Sequence, residues 1–340
     1  MHLNVVKTEE EFFALADEWN NLLQNSASHV PFLRHEYLSA WWRTLGGGEW
    51  KQGELVIIIA RAEDGQLVAI APLFFTSNRE GEPALMLLGS IEISDYLDVI
   101  ASAQDLNQFL TDLLPRLAAP DMPDWKALDL YNLLDNSPTL EALQSAAKQL
   151  GWDYVEEKLQ HCPYIQLPGD WEAYLASIDK KQRHEIRRKM RRVENADLPT
   201  RWYIVRDESR LDAEIDEFFC LMEQDDEKKA FLTDAMRQQM REAVWAAFRG
   251  SWLQLAFIEI GGEKAAGYLS FDYADHIWVY NSGINFDFGV YSPGWVLLGY
   301  LIQWANEHHR RAFDFMRGGE DYKYRFGAVD RLVVRATVRR

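Results

Sequence analysis

The sequence predicts an α/β protein built from two tandem domains, each a mixed, mostly antiparallel sheet flanked by helices. One supersecondary unit is written twice: residues 57–75 read IIIARAEDGQLVAIAPLFF and residues 255–273 read LAFIEIGGEKAAGYLSFDY. Each is an apolar strand, a charged glycine-containing turn and a second apolar strand. Laid without a gap, Asp64-Gly65 falls beside Gly262-Glu263. Downstream, each copy continues through another apolar stretch and a helical pattern to a short strand, at 128–130 and at 313–316. The chain's 340 residues suit two domains at roughly 100–200 residues each. The expected boundaries are 1–165 and 166–340, with a basic helix at 180–194.

In order along the chain, residues 8–24 read as a helix opened by Thr8, with Glu11 at capping-box spacing. Residues 31–45 read as a second helix, carrying Tyr37, Trp41 and Trp42 and closed by Gly46-Gly47-Gly48. Strands are expected at 55–60, 67–75, 84–88 and 96–100, then a helix at 105–117, a strand near Leu128, a helix at 139–150 and a connecting strand from 151. In the second half, helices are expected at 211–223 and 234–249. Strands follow at 253–260, 265–273 and 276–284, the last two joined by the tight turn Ala274-Asp275.

Composition narrows function. A formal net charge of −17 argues against general polyanion binding by the whole surface. Cys162 and Cys220 permit no disulfide framework and have no metal-ligand spacing, so a reducing, cytoplasmic setting and no metal are expected. No apolar run approaches the ~20 residues of a membrane span, so no membrane insertion is expected. The charge anomaly is residues 180–192, KKQRHEIRRKMRR, a local +7 that leaves −24 on the rest of the chain. Ile186, Met190 and Val193 form a thin apolar seam along it. Three readings are open: docking on acidic parts of the same protein, contact with an anionic substrate or cofactor, and binding of a nucleic acid such as tRNA.

Chemistry concentrates in residues 281–327. Ser292-Pro293-Gly294 predicts a helix opening, Ser as cap and Pro at a position where no hydrogen bond is lost. Its free amides and positive dipole end suit a phosphate. A short strand containing Asp314 then leads into Arg317-Gly318-Gly319 and the run Glu320-Asp321-Tyr322-Lys323-Tyr324-Arg325-Phe326-Gly327. Trp278, Tyr280, Tyr291 and Trp295 are candidates to line a cleft or to fill a core.

The order hairpin, strand, SPG opening, amphipathic helix, FDF strand and RGGEDYKYRFGA resembles the CelD-like, cellulose-biosynthesis-associated acetyltransferases of the GNAT superfamily. These are tandem-GNAT chains related to Fem-type aminoacyltransferases, and the likeness extends to HVPFLRHEYLSAWW near the N-terminus. The resemblance implies two GNAT-like domains, the first degenerate, with an acyl-CoA N-acyltransferase site in the second. Acetyl-CoA or another acyl-CoA would be held by Val290, Tyr291, Ser292, Gly294 and Trp295, its pantetheine arm lying between strands 276–284 and 313–316. Direct attack of a neutral amine on the thioester is expected, with Tyr322 or Tyr324 as acid, Glu320 or Asp321 as base or amine anchor, and Asp314, Arg317, Lys323 and Trp278 toward the acceptor. That acceptor would be a small metabolite or a glycan precursor. The family's usual Gln/Arg-x-x-Gly-x-Gly/Ala pattern is missing here, and Fem-type relatives use aminoacyl-tRNA. Aminoacyl-tRNA-dependent transfer and a non-catalytic binding module on a decayed fold are therefore the alternatives.

Overall fold

A computed structural model describes residues Met1–Arg340. The chain divides into two compact units, Met1–Gln160 with Leu332–Arg340, and His161–Arg331. No helix is long and apolar enough to cross a membrane.

The first unit opens with strand β1 (His2–Val6), helix α1 (Glu9–Ala14) and helix α2 (Ala16–Leu23). Thr8 caps α1 as its sequence predicts, with Glu11 completing the capping box. The expected single helix breaks at Leu15, which caps one helix and opens the next. Helix α3 (His35–Gly48) buries Tyr37, Trp41 and Trp42 and ends where Leu45, Gly46 and Gly47 turn left-handed. Strands β2 (Glu54–Leu55), β3 (Ile57–Arg61), β4 (Leu67–Ala71), β5 (Leu73–Ser77), β6 (Pro83–Leu87) and β7 (Ile100–Ala101) follow. The strand expected over 67–75 is cut at Pro72, which lacks a ladder donor. As a result β4 and β5 enter different sheets. Residues 96–99, read as a strand, form a buried irregular segment, pinned by the Leu97 amide donating to the Asn132 carbonyl at 2.9 Å. Helix α4 (Leu106–Leu117), strand β8 (Ala127–Leu134), helix α5 (Pro138–Gln149) and strand β9 (Asp153–His161) complete the run. One sheet has the order β1-β3-β4-β7. The other runs β2-β5-β6-β8, then the chain's last strand, Leu332–Arg339, then β9.

That last strand corrects the sequence boundary. Expected within a second domain running to residue 340, it pairs antiparallel with β8 and belongs to the first unit. Its alternating Val334, Ala336 and Val338 need a buried face, and β8 supplies one.

The second unit contains β10 (Tyr164–Gln166), α6 (Trp171–Ser177), α7 (Lys180–Glu194), β11 (Thr200–Ile204), α8 (Leu211–Met222), α9 (Asp226–Phe231), α10 (Asp234–Arg249), β12 (Leu253–Ile260), β13 (Glu263–Tyr273), β14 (His276–Ile284), α11 (Pro293–Glu307), β15 (Ala312–Asp314) and α12 (Asp321–Arg325). The final strand of the chain is β16. The second unit's single sheet has the order β10-β15-β14-β13-β12-β11, antiparallel except where β14 and β15 run parallel. Ala274 and Asp275 both have positive φ, as the tight hairpin requires. Helix α8 covers one sheet face, where Gly267 and Gly283 let it approach: a Cβ on Gly283 would stand 2.6 Å from Leu221. Helices α7 and α11 enclose the other face around Ile258, Ala266, Tyr268, Ile277, Val279 and Leu301. The seam of α7 docks where α11 has no side chain: a Cβ on Gly299 would lie 3.3 Å from the Met190 sulfur.

Candidate active site

Strands β14 and β15 pair only through His276, Ile277 and Trp278, opposite Ala312, Phe313 and Asp314. Beyond that, β15 has ended while β14 continues to Ile284, leaving a wedge along its edge. A bulge between Val279 and Asn281 shifts the register, so that Ser282 and Ile284 stand opposite Tyr268 and Ala266.

From β14 the chain passes through a 3₁₀ segment, Phe286–Tyr291, started by Asn285, whose side chain accepts the Asp287 amide at 3.0 Å. Ser292 follows at φ 51°, ψ 53°, and α11 begins. The left-handed backbone turns the Ser292 side chain away from the helix end, so the expected side-chain cap is not made. Pro293 has no N–H. The amides of Gly294 and Trp295 lie in the first turn, where a helix offers no intrahelical acceptor and the dipole is positive. A Cβ at 294 would stand 2.7 Å from Ile284 Cδ1, so a larger residue there must displace that side chain. The Tyr268 hydroxyl lies 4.0 Å from that same point.

Helix α7 adds charge to this opening. The Lys189 ammonium stands 4.2 Å above the Trp295 ring, and Arg192 donates to the Val290 carbonyl at 2.9 Å. Burial holds the Lys189 amine below its ordinary value; Arg188 and Arg192 push the same way and Glu185 opposes them. An anion at the opening would relieve that repulsion.

The wedge holds titratable groups. Lys228, on α9, donates to the Ser282 carbonyl oxygen and, at 3.3 Å, to its hydroxyl. Burial lowers its pKa, opposed by Asp225 and Glu320. Burial raises the Tyr322 phenol far above its usual range, with Glu320 adding to the effect. Tyr268 is raised in the same way, by burial and then by Tyr322. Glu320 thus acts electrostatically on both Lys228 and Tyr322, and Tyr322 on Tyr268.

The residues expected here from sequence divide. Glu320 pairs with Lys323, and Tyr322 packs against the core and Phe315; Gly294 and Trp295 form the helix opening, and Tyr291 packs against the core beside it. Val290 is 67% exposed and only its carbonyl is engaged. Four residues take other work. Asp314, expected to hold substrate, is 1% exposed; it accepts the Met316 amide at 2.8 Å and is ion-paired to Arg331. Lys323, also expected toward substrate, is buried and donates to the Arg317 and Gly318 carbonyls at 2.9 Å each while pairing with Glu320 at 2.9 Å. All three of its N–H bonds are committed to bracing the glycine loop. Tyr324 turns to Asp330, donating at 3.2 Å, and the other Asp330 oxygen meets His161 at 2.5 Å. Trp278 is buried, its indole N–H donating to the Tyr273 carbonyl at 3.0 Å. The Arg317 side chain is partly buried and its carbonyl receives Lys323.

Sequence reading missed Lys228, Ser282 and Tyr268. Lys228 is half of a Lys-Lys pair in a polar run, and nothing in that run separates the partly buried Lys228 from the exposed Lys229. Ser282 is aligned with Tyr268 by a bulge that the sequence does not mark. The available signal was Tyr268 itself, a polar-tipped residue in an otherwise apolar strand.

Residues 180–324 match the family model described as acetyltransferase (GNAT) domain. This stretch lies within the second unit. Among solved structures, a crystal structure of FemX is similar over 99% of this chain and 97% of its own, at 11% identity and TM-score 0.67. L-PGS from Bacillus licheniformis is similar over 94% of this chain and 90% of its own, at 12% identity and TM-score 0.56. The C-terminal domain of a putative lysylphosphatidylglycerol synthetase from Agrobacterium fabrum is similar over 96% and 92%, at 10% identity and TM-score 0.54. At these identities the likeness is one of fold. No curated protein matches the chain. The opening of α11, strands β14 and β15, and Glu320 and Tyr322 all lie within the matched residues.

Proposed function

We propose that the GNAT-type unit is an acyl-CoA-dependent N-acyltransferase, an acetyltransferase of CelD-like type acting on an amine of a small metabolite or envelope-polysaccharide precursor. The observation that carries this reading is the opening of α11: free amides at Gly294 and Trp295, flanked by Lys189 and Arg192, beside the β14–β15 wedge. A pyrophosphate fits the amides and the cations. The acyl-pantetheine arm then lies along the unpaired β14 edge toward Lys228 and Ser282.

In this reading the acceptor amine attacks the thioester carbonyl carbon, a C–N bond forms and the C–S bond breaks. Glu320 anchors the incoming ammonium and takes its proton. Lys228 donates to the carbonyl oxygen as negative charge develops there. Tyr322, kept protonated by burial, gives its proton to the departing thiolate. The first unit, degenerate as a GNAT-like domain, serves acceptor binding or packing.

Calorimetric titration with acetyl-CoA and desulfo-CoA tests the donor. Micromolar binding by the native chain, lost in Gly294→Glu, is expected. The missing Gln/Arg-x-x-Gly-x-Gly/Ala pattern favours a second reading, transfer from aminoacyl-tRNA at the same wedge. No binding of either CoA compound, together with transfer from an aminoacyl-tRNA, would establish it.

A further inference from the structure

The donor site uses α7 only through Lys189 and Arg192, and the rest of its outer side is left without a role. With Ile186, Met190 and Val193 turned into the core, the helical period places Lys180, Lys181, His184, Arg188, Arg191 and Arg192 on the opposite, solvent-facing side. No acidic residue falls within that stripe. Arg188 is paired with Glu185 from its flank, and Arg187, at the margin, with Glu172. Lys180, Lys181 and Arg191 are exposed.

Beside the stripe lies the 3₁₀ segment Phe286–Tyr291, tied to α7 by the bond from Arg192 to the Val290 carbonyl. Phe288 and Tyr291 pack on the core, whereas Phe286 and Val290 point outward, 61% and 67% exposed. Two large apolar side chains thus stand in water next to a basic stripe free of acidic residues.

We propose that this face docks the protein peripherally on an anionic phospholipid surface. The basic stripe meets the headgroups, and Phe286 and Val290 sink to the boundary between headgroups and acyl chains. Excess negative charge elsewhere keeps other faces off such a surface and fixes the docking orientation. A nucleic acid would satisfy the basic stripe, yet its phosphate backbone offers nothing to an exposed valine. The lipid boundary satisfies both features. Docked in this way, the unit would meet acceptors carried on or near a membrane without spanning it.

The test is co-sedimentation of the full chain with vesicles of two parts phosphatidylcholine to one part phosphatidylglycerol, against pure phosphatidylcholine, with no CoA compound present. Binding to the anionic vesicles only, weakening as salt rises, is expected. Each basic residue near the surface is worth about fivefold in partitioning, so Lys180→Glu, Lys181→Glu and Arg191→Glu combined should lower it by far more than tenfold. Phe286→Ser should weaken it several-fold with the charge unchanged. Thermal melts followed by circular dichroism check that both variants stay folded. Absence of binding to anionic vesicles at low salt overturns the proposal. So does binding that Phe286→Ser leaves unchanged, or tighter capture of total tRNA than of vesicles at the same salt, which would assign the stripe to nucleic acid.

Discussion

The two units carry the same strand pair in the same register, and they part company one element later. In the first, Ala84, Leu85 and Met86 of β6 run parallel to Ala127, Leu128 and Asp129 of β8. In the second, His276, Ile277 and Trp278 of β14 run parallel to Ala312, Phe313 and Asp314 of β15. Each parallel strand therefore has an aspartate as its third paired residue. Each aspartate is buried against an arginine: Asp129 receives Arg335 at 2.6 Å, and Asp314 is paired with Arg331. A feature present in both copies belongs to the scaffold, which is why Asp314 is better read as structural than as a substrate anchor.

The crossover helices differ. Helix α4 opens at Asp105, whose carboxylate accepts the Ser102 hydroxyl at 2.6 Å, beside a cavity of about 410 Å³ lined by Glu18, Asp105, Asn21, Asn25 and Gln66. Helix α11 opens at bare amides flanked by Lys189 and Arg192. One opening carries negative charge and the other positive charge. The duplication thus separates what holds the fold from what confers chemistry.

The largest effect that would sharpen this contrast is on Lys228. If it donates to the developing oxyanion, Lys228→Met should lower kcat by about 10²–10³-fold with little change in thermal midpoint. A loss confined to KM would move Lys228 to acceptor binding. Next come the shared aspartates. Asp314→Asn leaves Arg331 charged and largely buried, a loss of about 3 kcal/mol by urea denaturation. Asp129→Asn should cost less, because Arg335 retains Glu80 at 2.8 Å. Asp314→Asn protein that folds normally but cannot turn over would break the equivalence and restore Asp314 to the active site. A smaller effect is expected at the openings themselves. Gly294→Ala should weaken donor binding at least tenfold by pressing on Ile284, whereas Asp105→Asn should leave donor binding unchanged.

Much of this was legible in the sequence because local chemistry decided it. The Thr8 capping box, the α7 seam, the β12–β13–β14 hairpins and the Ser-Pro-Gly helix start each follow from a few neighbouring residues. What was missed depended on distant partners or on backbone geometry. Leu332–Arg339 joins the first unit because β8 has an open edge, which nothing near residue 332 reveals. Ser292 adopts a left-handed backbone, so the side chain expected to cap α11 leaves its amides free. Lys323 stands in the most motif-rich stretch of the chain, yet its ammonium is spent on the Arg317 and Gly318 carbonyls. Density of polar residues did not reveal which members of that stretch are spent on structure.

The smallest effect expected is also the most discriminating, since it separates stability from catalysis at one group. Burial lowers the Lys228 pKa, so the folded protein releases this proton at a lower pH than the unfolded chain, which holds it to about 10.4. Between those two values the unfolded state binds more protons, and the Lys228 contribution makes folding stability rise with pH. Catalysis that needs the ammonium runs the other way, and kcat should fall across the same alkaline window. Measured together, unfolding free energy and kcat should diverge with pH in the native protein. In Lys228→Met the stability increment should vanish, and the residual activity should lose that alkaline limb. If both profiles of the variant match the native ones, Lys228 does not titrate in the site, and the wedge must polarise the carbonyl by other groups, the Tyr268 hydroxyl first among them.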